Sequence, residues 1–174
     1  MKIWLKIFVA LSLIISSQSF AGWDANEEQE ALESIVEFKQ HDPELQAFFD
    51  KAWGYAVYPD VGKAGMGIGG AHGSGIVFER GVVIGSTKLT QLTIGFQLGA
   101  QVYQEIIFFE TQSDLDVFKE GNYELGAQAS AVAVTAGASA DAGYDHGVAI
   151  FTLVKGGLMY EASVGGQKFK YTPK

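Results

Sequence analysis

The sequence predicts an α+β fold in which N-terminal amphipathic helices pack on a glycine-rich antiparallel β barrel or sandwich. Apolar residues recur at helical spacing in the first third of the chain, whereas beyond residue 55 they alternate with a period of two. The chain also contains 22 glycines among 174 residues, and glycine at alternate strand positions permits sharp bends and close approach of another layer. No repeat or linker divides the sequence, which predicts one domain over residues 22–174.

Residues 1–21 have the pattern of a signal peptide. Lys2 and Lys6 precede an apolar run that is too short to span a bilayer, and Ser19 and Ala21 are the small residues that signal peptidase requires. We expect cleavage after Ala21 and a soluble periplasmic or secreted protein. Because the chain has no cysteine, disulfides, thiolate metal sites and a lipid anchor at the cleavage point are excluded.

The charge of the chain is decidedly acidic. Its formal net charge is -8, and removal of Lys2 and Lys6 with the signal peptide lowers this from -8 to -10. Such a field repels nucleic acids and weakens nonspecific attraction to anionic membranes. We therefore predict no nucleic-acid partner.

Two helices are predicted before the sheet. Residues 26–40 form an amphipathic pattern whose glutamates lie mostly away from an apolar stripe of Ala31, Leu32, Ile35, Val36 and Phe38. Asp42 and Pro43 then supply a cap and a first residue for a second helix. Glutamate on the polar face is unusual for an interfacial membrane helix, so we expect both helices to pack on the body of the domain.

The sheet is predicted from four segments. Residues 92–102 alternate between large apolar side chains and small or polar ones, giving one apolar face. Residues 76–85 are typical of strand, turn and strand, and residues 148–166 of a hairpin turning at Lys155-Gly156-Gly157. Residues 124–143 predict a strand of small side chains, preceded by a short helix near residues 113–120 capped by Ser113.

The segment from Gly65 to Gly70 matches the spacing G-x-G-x-x-G of dinucleotide-binding loops. Such a loop needs a helix after the glycines, whereas this one is followed by strand-forming residues. We interpret the glycines as structural and expect valine at Gly69 or Gly70 to destabilise the fold. The structural set is Gly65, Gly67, Gly69, Gly70, Gly73 and Gly75.

Catalytic and metal-binding patterns are weak. His72 and Ser74 lack a positioned acid and oxyanion donors, and Asp141, Asp145 and His146 are more typical of a polar turn than of a metal site. We therefore predict a protein that is not an enzyme and uses no metal or cofactor. A hydrolase that depends on His72 or on the turn from Asp141 to His146 is the remaining catalytic alternative.

Three ordered motifs resemble the SYLF domain, also called the Ysc84 or Las17-binding actin regulator family. They are GYAVYP at residues 54–59, the glycine cluster at residues 67–75 and GFQLGAQ at residues 95–101, within a resemblance that covers residues 30–171. The resemblance implies a non-enzymatic domain of N-terminal helices on a glycine-rich antiparallel sheet. It also implies binding of phosphoinositide membranes and, in fungal members, of actin.

Parts of the family's function are not carried over to this chain. The first helix is acidic and has only Lys39, which argues against phosphoinositide specificity, and an exported protein meets no cytoplasmic actin. What remains is a periplasmic or secreted module that binds phospholipid or another part of the cell envelope. The alternative is a structural protein that binds an envelope protein and no lipid. The basic residues nearest the motifs, and therefore the candidates for a lipid headgroup, are Lys51, Lys63, Arg80 and Lys88.

Overall fold

The computed structural model describes residues 24–121, 123–125 and 131–174. The predicted signal peptide lies outside these residues. In order along the chain, the elements are helix α1 (Ala25–His41), a 3-10 turn (Pro43–Leu45), helix α2 (Gln46–Lys51), strands β1 (Gly54–Glu79) and β2 (Val82–Phe109), helix α3 (Gln112–Lys119), and strands β3 (Tyr123–Leu125), β4 (Ala131–Ala133) and β5 (Val148–Pro173).

Three long strands dominate the fold. They form one sheet in the order β1-β2-β5-β3, with antiparallel pairing along this path and β4 added parallel to β5. β1 and β2 pair from Gly54 opposite Phe109 to Glu79 opposite Val82, joined by the turn Arg80–Gly81. The α+β class and the antiparallel sheet behind N-terminal helices are confirmed.

The sheet is curled because β1 bends back on itself at Gly67. This residue has a φ of 74°, which favours glycine, and the register with β2 shifts between Met66 and Ile68. A Cβ placed on Gly65 would lie 2.8 Å from the Cα of Gly69, and one on Gly73 would lie 2.9 Å from Val61. The two halves of β1 therefore lie against each other, and the G-x-G-x-x-G spacing lies within a strand.

Each face of the curled sheet carries a hydrophobic core. On one face α1 and α2 cover a cluster that includes Phe38, Val57 and Phe108. On the other face α3 covers a cluster that includes Tyr58, Phe109 and Phe118. The predicted packing of the N-terminal helices on the domain is present, but only part of the predicted apolar stripe of α1 is buried, because Leu32 is 43% and Val36 is 53% exposed.

Asp42 joins the helices to the loop before β5. It ends α1, caps the 3-10 turn by accepting from the Glu44 amide, and accepts from the Ser139 amide at 2.8 Å and the Gly137 amide at 3.3 Å. Burial opposes ionisation, but the hydrogen bonds from Ser139, Glu44 and Gly137 outweigh it and lower the pKa of Asp42. The predicted capping role is present, and Asp42 also holds a distant loop.

Three local predictions were wrong. β5 continues through residues 155–157 without a hairpin, because Val154 pairs with Tyr103 and Gly156 with Val102, which leaves Lys155 as an extra residue in a bulge. α3 is capped by Thr111 in a capping box with Asp114, not by Ser113. Of residues 124–143, the part beyond Leu125 that the structure describes forms only the short strand β4 and then turns, and residues 126–130 lie outside it.

Among the structural glycines, Gly75 has the least room for a side chain. A Cβ there would collide with the backbone oxygen of Val57 and lie 2.7 Å from the Tyr58 ring. We expect Gly75→Val to lower the free energy of unfolding by about 1–3 kcal/mol, the usual cost of overpacking, in urea unfolding experiments. Gly70→Val is the matched control, because its nearest neighbour is the Gln91 oxygen at 3.4 Å. Equal stability of the two variants would contradict this expectation.

Candidate functional site

The bend of the sheet exposes a continuous apolar surface, which we call the apolar face. In β1 it includes Met66, 80% exposed, and Ile68, 65% exposed; in β2 its most exposed member is Phe96, at 71%. Pairing places Met66 opposite Leu98 and Ile68 opposite Ile94. The full set is Ala64, Met66, Ile68, Leu92, Ile94, Phe96, Leu98, Ala100 and Val102. Exposed patches of this kind mark interaction sites.

The opposite face of the same strands is polar and buried. Thr93 and Gln97 are each 2% exposed, although they alternate with exposed leucine, isoleucine and phenylalanine. Thr93 donates to the Gln97 side-chain oxygen at 2.7 Å, and the Gln97 amide donates to the Thr93 carbonyl at 3.2 Å. Gly65 and Gly69 leave space for the Gln97 side chain. This part of the sheet thus has the reverse of the usual polarity of a protein in water.

Charged residues border the apolar face at both ends. At one end Lys155 and Asp60 form an ion pair of 2.7 Å. At the other end lie three exposed lysines, Lys88, Lys168 and Lys170, which we call the lysine row. Lys88 pairs directly across the strands with Lys170, and Lys168 pairs with Thr90. Directly opposed residues of an antiparallel pair project on the same side, so the three ammonium groups lie on the side of the apolar face.

Acidic groups lie near parts of the lysine row. Lys168 forms an exposed ion pair of 2.6 Å with Glu124. Burial raises the pKa of Glu27, with Asp24 and Glu30 adding to the increase and Lys88 opposing it. The N-terminal end of the acidic helix α1 is therefore close enough to Lys88 to interact electrostatically with it.

The four predicted headgroup candidates are not brought together. Lys88 belongs to the lysine row, whereas the Arg80 guanidinium lies 3.8 Å from the ring centre of Trp53 at the β1–β2 turn. Lys51 ends α2 and borders a depression of about 630 Å³ that Phe48 and Tyr144 also line. Lys63 pairs with Gln101, on the polar side of the sheet, and interacts with Glu105.

Lys168 and Lys170 were missed by sequence reasoning. Their signal is the alternation of lysine with the buried Phe169, which marks an exposed strand face. Only the pairing of β5 with β2 brings them beside Lys88.

A second polar group lies inside the curled sheet. Glu105 is 1% exposed, and one of its carboxylate oxygens accepts from Gln167 at 2.9 Å. Burial raises the pKa of Glu105 to about 7, while the hydrogen bond from Gln167 and the charge of Lys63 oppose the increase. The group borders a cavity of about 190 Å³ lined by Gln91, Gln101 and other residues.

The catalytic alternatives gain no further partners. His72 and Ser74 lie two residues apart in β1, and in their pairing with β2 they face Thr90 and Lys88. Asp145 and His146 are exposed neighbours joined at 2.6 Å. In the described ranges of the chain, no three histidine or acidic side chains form a cluster that suits a metal ion. No helix in these ranges is both long and apolar enough to cross a membrane.

Comparison with known proteins supports a family assignment. The model of the Ysc84 family, described as Las17-binding protein actin regulator, matches residues 90–172. A relative named Beta cell expansion factor A, from Aeromonas veronii, is 27% identical over 137 residues, which cover 78% of this chain and 52% of the relative. The chain thus spans about half the length of that curated relative. The matched region includes β5, most of β2 and the lysines at positions 168 and 170.

Proposed function

Starting from a chain whose residues 90–172 belong to the Ysc84 family, we propose that it is a binding module that docks on a phospholipid surface through the apolar face. The single observation that carries this proposal is the exposure of Met66, Ile68, Ile94 and Phe96 together on a rigidly paired part of the sheet. These side chains gain a favourable environment only when another apolar phase covers them.

The chemistry of the apolar face favours lipid over a protein partner. Protein interfaces carry about one hydrogen bond per 100–200 Å². The side chains that β1 and β2 contribute to this face between its charged borders include no hydrogen-bonding group until His72 and Thr90, at the border with the lysine row. Acyl chains need no such groups.

Apolar burial is strong enough to outweigh the acidic charge of the protein. Complete burial of one large apolar side chain contributes about 1.5–3 kcal/mol. Each lysine near an anionic surface contributes about 1 kcal/mol. Seven large apolar side chains lie on the apolar face with at least 40% of their surface exposed, so they dominate the interaction.

We further propose that the protein acts without catalysis and outside the cytoplasm. The support for the first statement is the isolation of His72 and His146 from complete catalytic sets in the described residues. The support for the second is the predicted signal peptide at residues 1–21. The alternative, an envelope protein that binds another protein through the same face, is an outcome of the experiment that follows.

Vesicle flotation tests the lipid function. We expect purified protein to float with phosphatidylcholine vesicles or with vesicles that also contain phosphatidylglycerol, and part of the binding to resist high salt because salt screens charges but not apolar burial. If the protein remains unbound with both vesicle types at low salt, lipid docking is wrong and the protein-binding alternative stands. Complete release by salt would contradict docking through the apolar face.

A further inference from the structure

We propose that the lysine row holds the phosphate groups of anionic phospholipids, and so makes the docking surface selective for lipids with a net negative headgroup. This inference rests on the proposed lipid function and adds the headgroup class. It assigns a role to Lys88, Lys168 and Lys170 as one unit.

The first support is the electrostatic arrangement within the row. Lys88 and Lys170 are directly opposed across β2 and β5, and like charges in this position destabilise a sheet. Other lysines of the chain are placed against acids, such as Lys119 with Asp116 at 2.7 Å and Lys155 with Asp60 at 2.7 Å. An anion between the two opposed ammonium groups would relieve their repulsion.

The second support is the position of the row beside the apolar face. Thr90 is the β2 residue between Leu92 and Lys88 on this side of the sheet, so the apolar side chains end two residues before the charged ones begin. Phospholipids have the same sequence of chemistry, with acyl chains followed by phosphate. A free phosphate ion would use the lysines but leave the apolar face uncovered, so we commit to the lipid headgroup.

Neighbouring acids set a limit to the charge of the row and provide a second test. Glu124 pairs with Lys168, and Glu27 interacts with Lys88. Lys88 and Lys170 therefore carry most of the selectivity. Removal of the Glu27 charge is expected to strengthen binding to anionic vesicles.

The test measures the partition of protein between water and vesicles by sedimentation at low salt. For the double variant Lys88→Gln/Lys170→Gln, we expect partition onto vesicles containing phosphatidylglycerol to fall about thirtyfold, or about fivefold per lysine. Partition onto pure phosphatidylcholine should stay within about twofold of wild type, since the apolar term is retained. Glu27→Gln should bind phosphatidylglycerol vesicles more tightly.

Lys51→Gln is the matched control, because it removes one positive charge outside the row. We expect it to leave the preference for phosphatidylglycerol unchanged. Thermal melting of the lysine double variant supplies a readout without lipid, and we expect its midpoint to equal or exceed that of wild type because the opposed charges are gone.

Two results would overturn the inference. The first is equal partition of wild type onto both vesicle types at low salt, which would leave lipid docking intact without headgroup selection. The second is an equal loss of anionic preference in Lys51→Gln and in the double variant, which would mean that total charge decides. Absence of binding to either vesicle type would instead remove the proposed function itself.

Discussion

Replacing Ile94 and Phe96 together with serine should weaken binding to phospholipid vesicles about one hundredfold. Both side chains lie on the apolar face, 64% and 71% exposed. A fully buried side chain of this size contributes about 1.5–3 kcal/mol, and these two retain roughly two thirds of their surface for burial against lipid. Vesicle sedimentation at high salt measures the loss with the electrostatic contribution screened.

The same double variant should fold normally, because neither side chain belongs to a hydrophobic core of the free protein. Val82→Ser/Val117→Ser is the matched control: it also removes two exposed apolar side chains, 67% and 45% exposed, but at the β1–β2 turn and on α3. We expect the control to bind like wild type. Equal losses in both double variants would show that general surface hydrophobicity, not the apolar face, governs binding.

Replacing Glu105 with glutamine should remove a pH dependence of stability. The folded-state pKa of Glu105 is raised from 4.5 to about 7, so the folded protein holds this proton more tightly than the unfolded chain. Below about pH 4.5 the carboxyl is protonated in both states and costs nothing. As the pH rises through 7 the folded protein must bury a charge, which lowers the free energy of unfolding by about 3 kcal/mol.

Urea unfolding of wild type and Glu105→Gln at pH 5, 6, 7 and 8 tests this, because the difference between the two proteins cancels groups that they share. We expect the variant to gain stability relative to wild type steadily as the pH rises. Glu120→Gln, at the exposed end of α3, should show a constant difference from wild type. A constant difference for Glu105→Gln as well would mean that the buried carboxylate is ionised at no cost.

Sequence alternation predicted the strand at residues 92–102 but not the direction in which its two faces point. Period-two patterning separates Leu92 and Ile94 from Thr93 and Gln97 whichever set is buried. The direction is decided by the bend at Gly67, which encloses Gln97 and leaves Phe96 outside. A bend of this kind depends on contacts between residues that lie far apart in β1.

Local turn chemistry was an unreliable guide where long strands pair. The segment Lys155-Gly156-Gly157 has the composition of a hairpin, yet β2 pairs with β5 on both sides of it and converts the extra residue into a bulge. Where no longer pairing competes, as at Arg80–Gly81, the predicted turn is present. The lysine row is the corresponding case for function, since Lys88 and Lys170 meet only through the register of β2 with β5.

The acidic helix α1 has a colloidal consequence for a protein with such an apolar face. Five glutamates in one helix, in a chain of net charge -8, give each molecule a negative surface that repels its neighbours in dilute solution. That repulsion separates copies whose Phe96 and Met66 side chains would otherwise adhere to each other. Dispersal of the protein in water and adhesion at a membrane are thus assigned to different ends of the same domain.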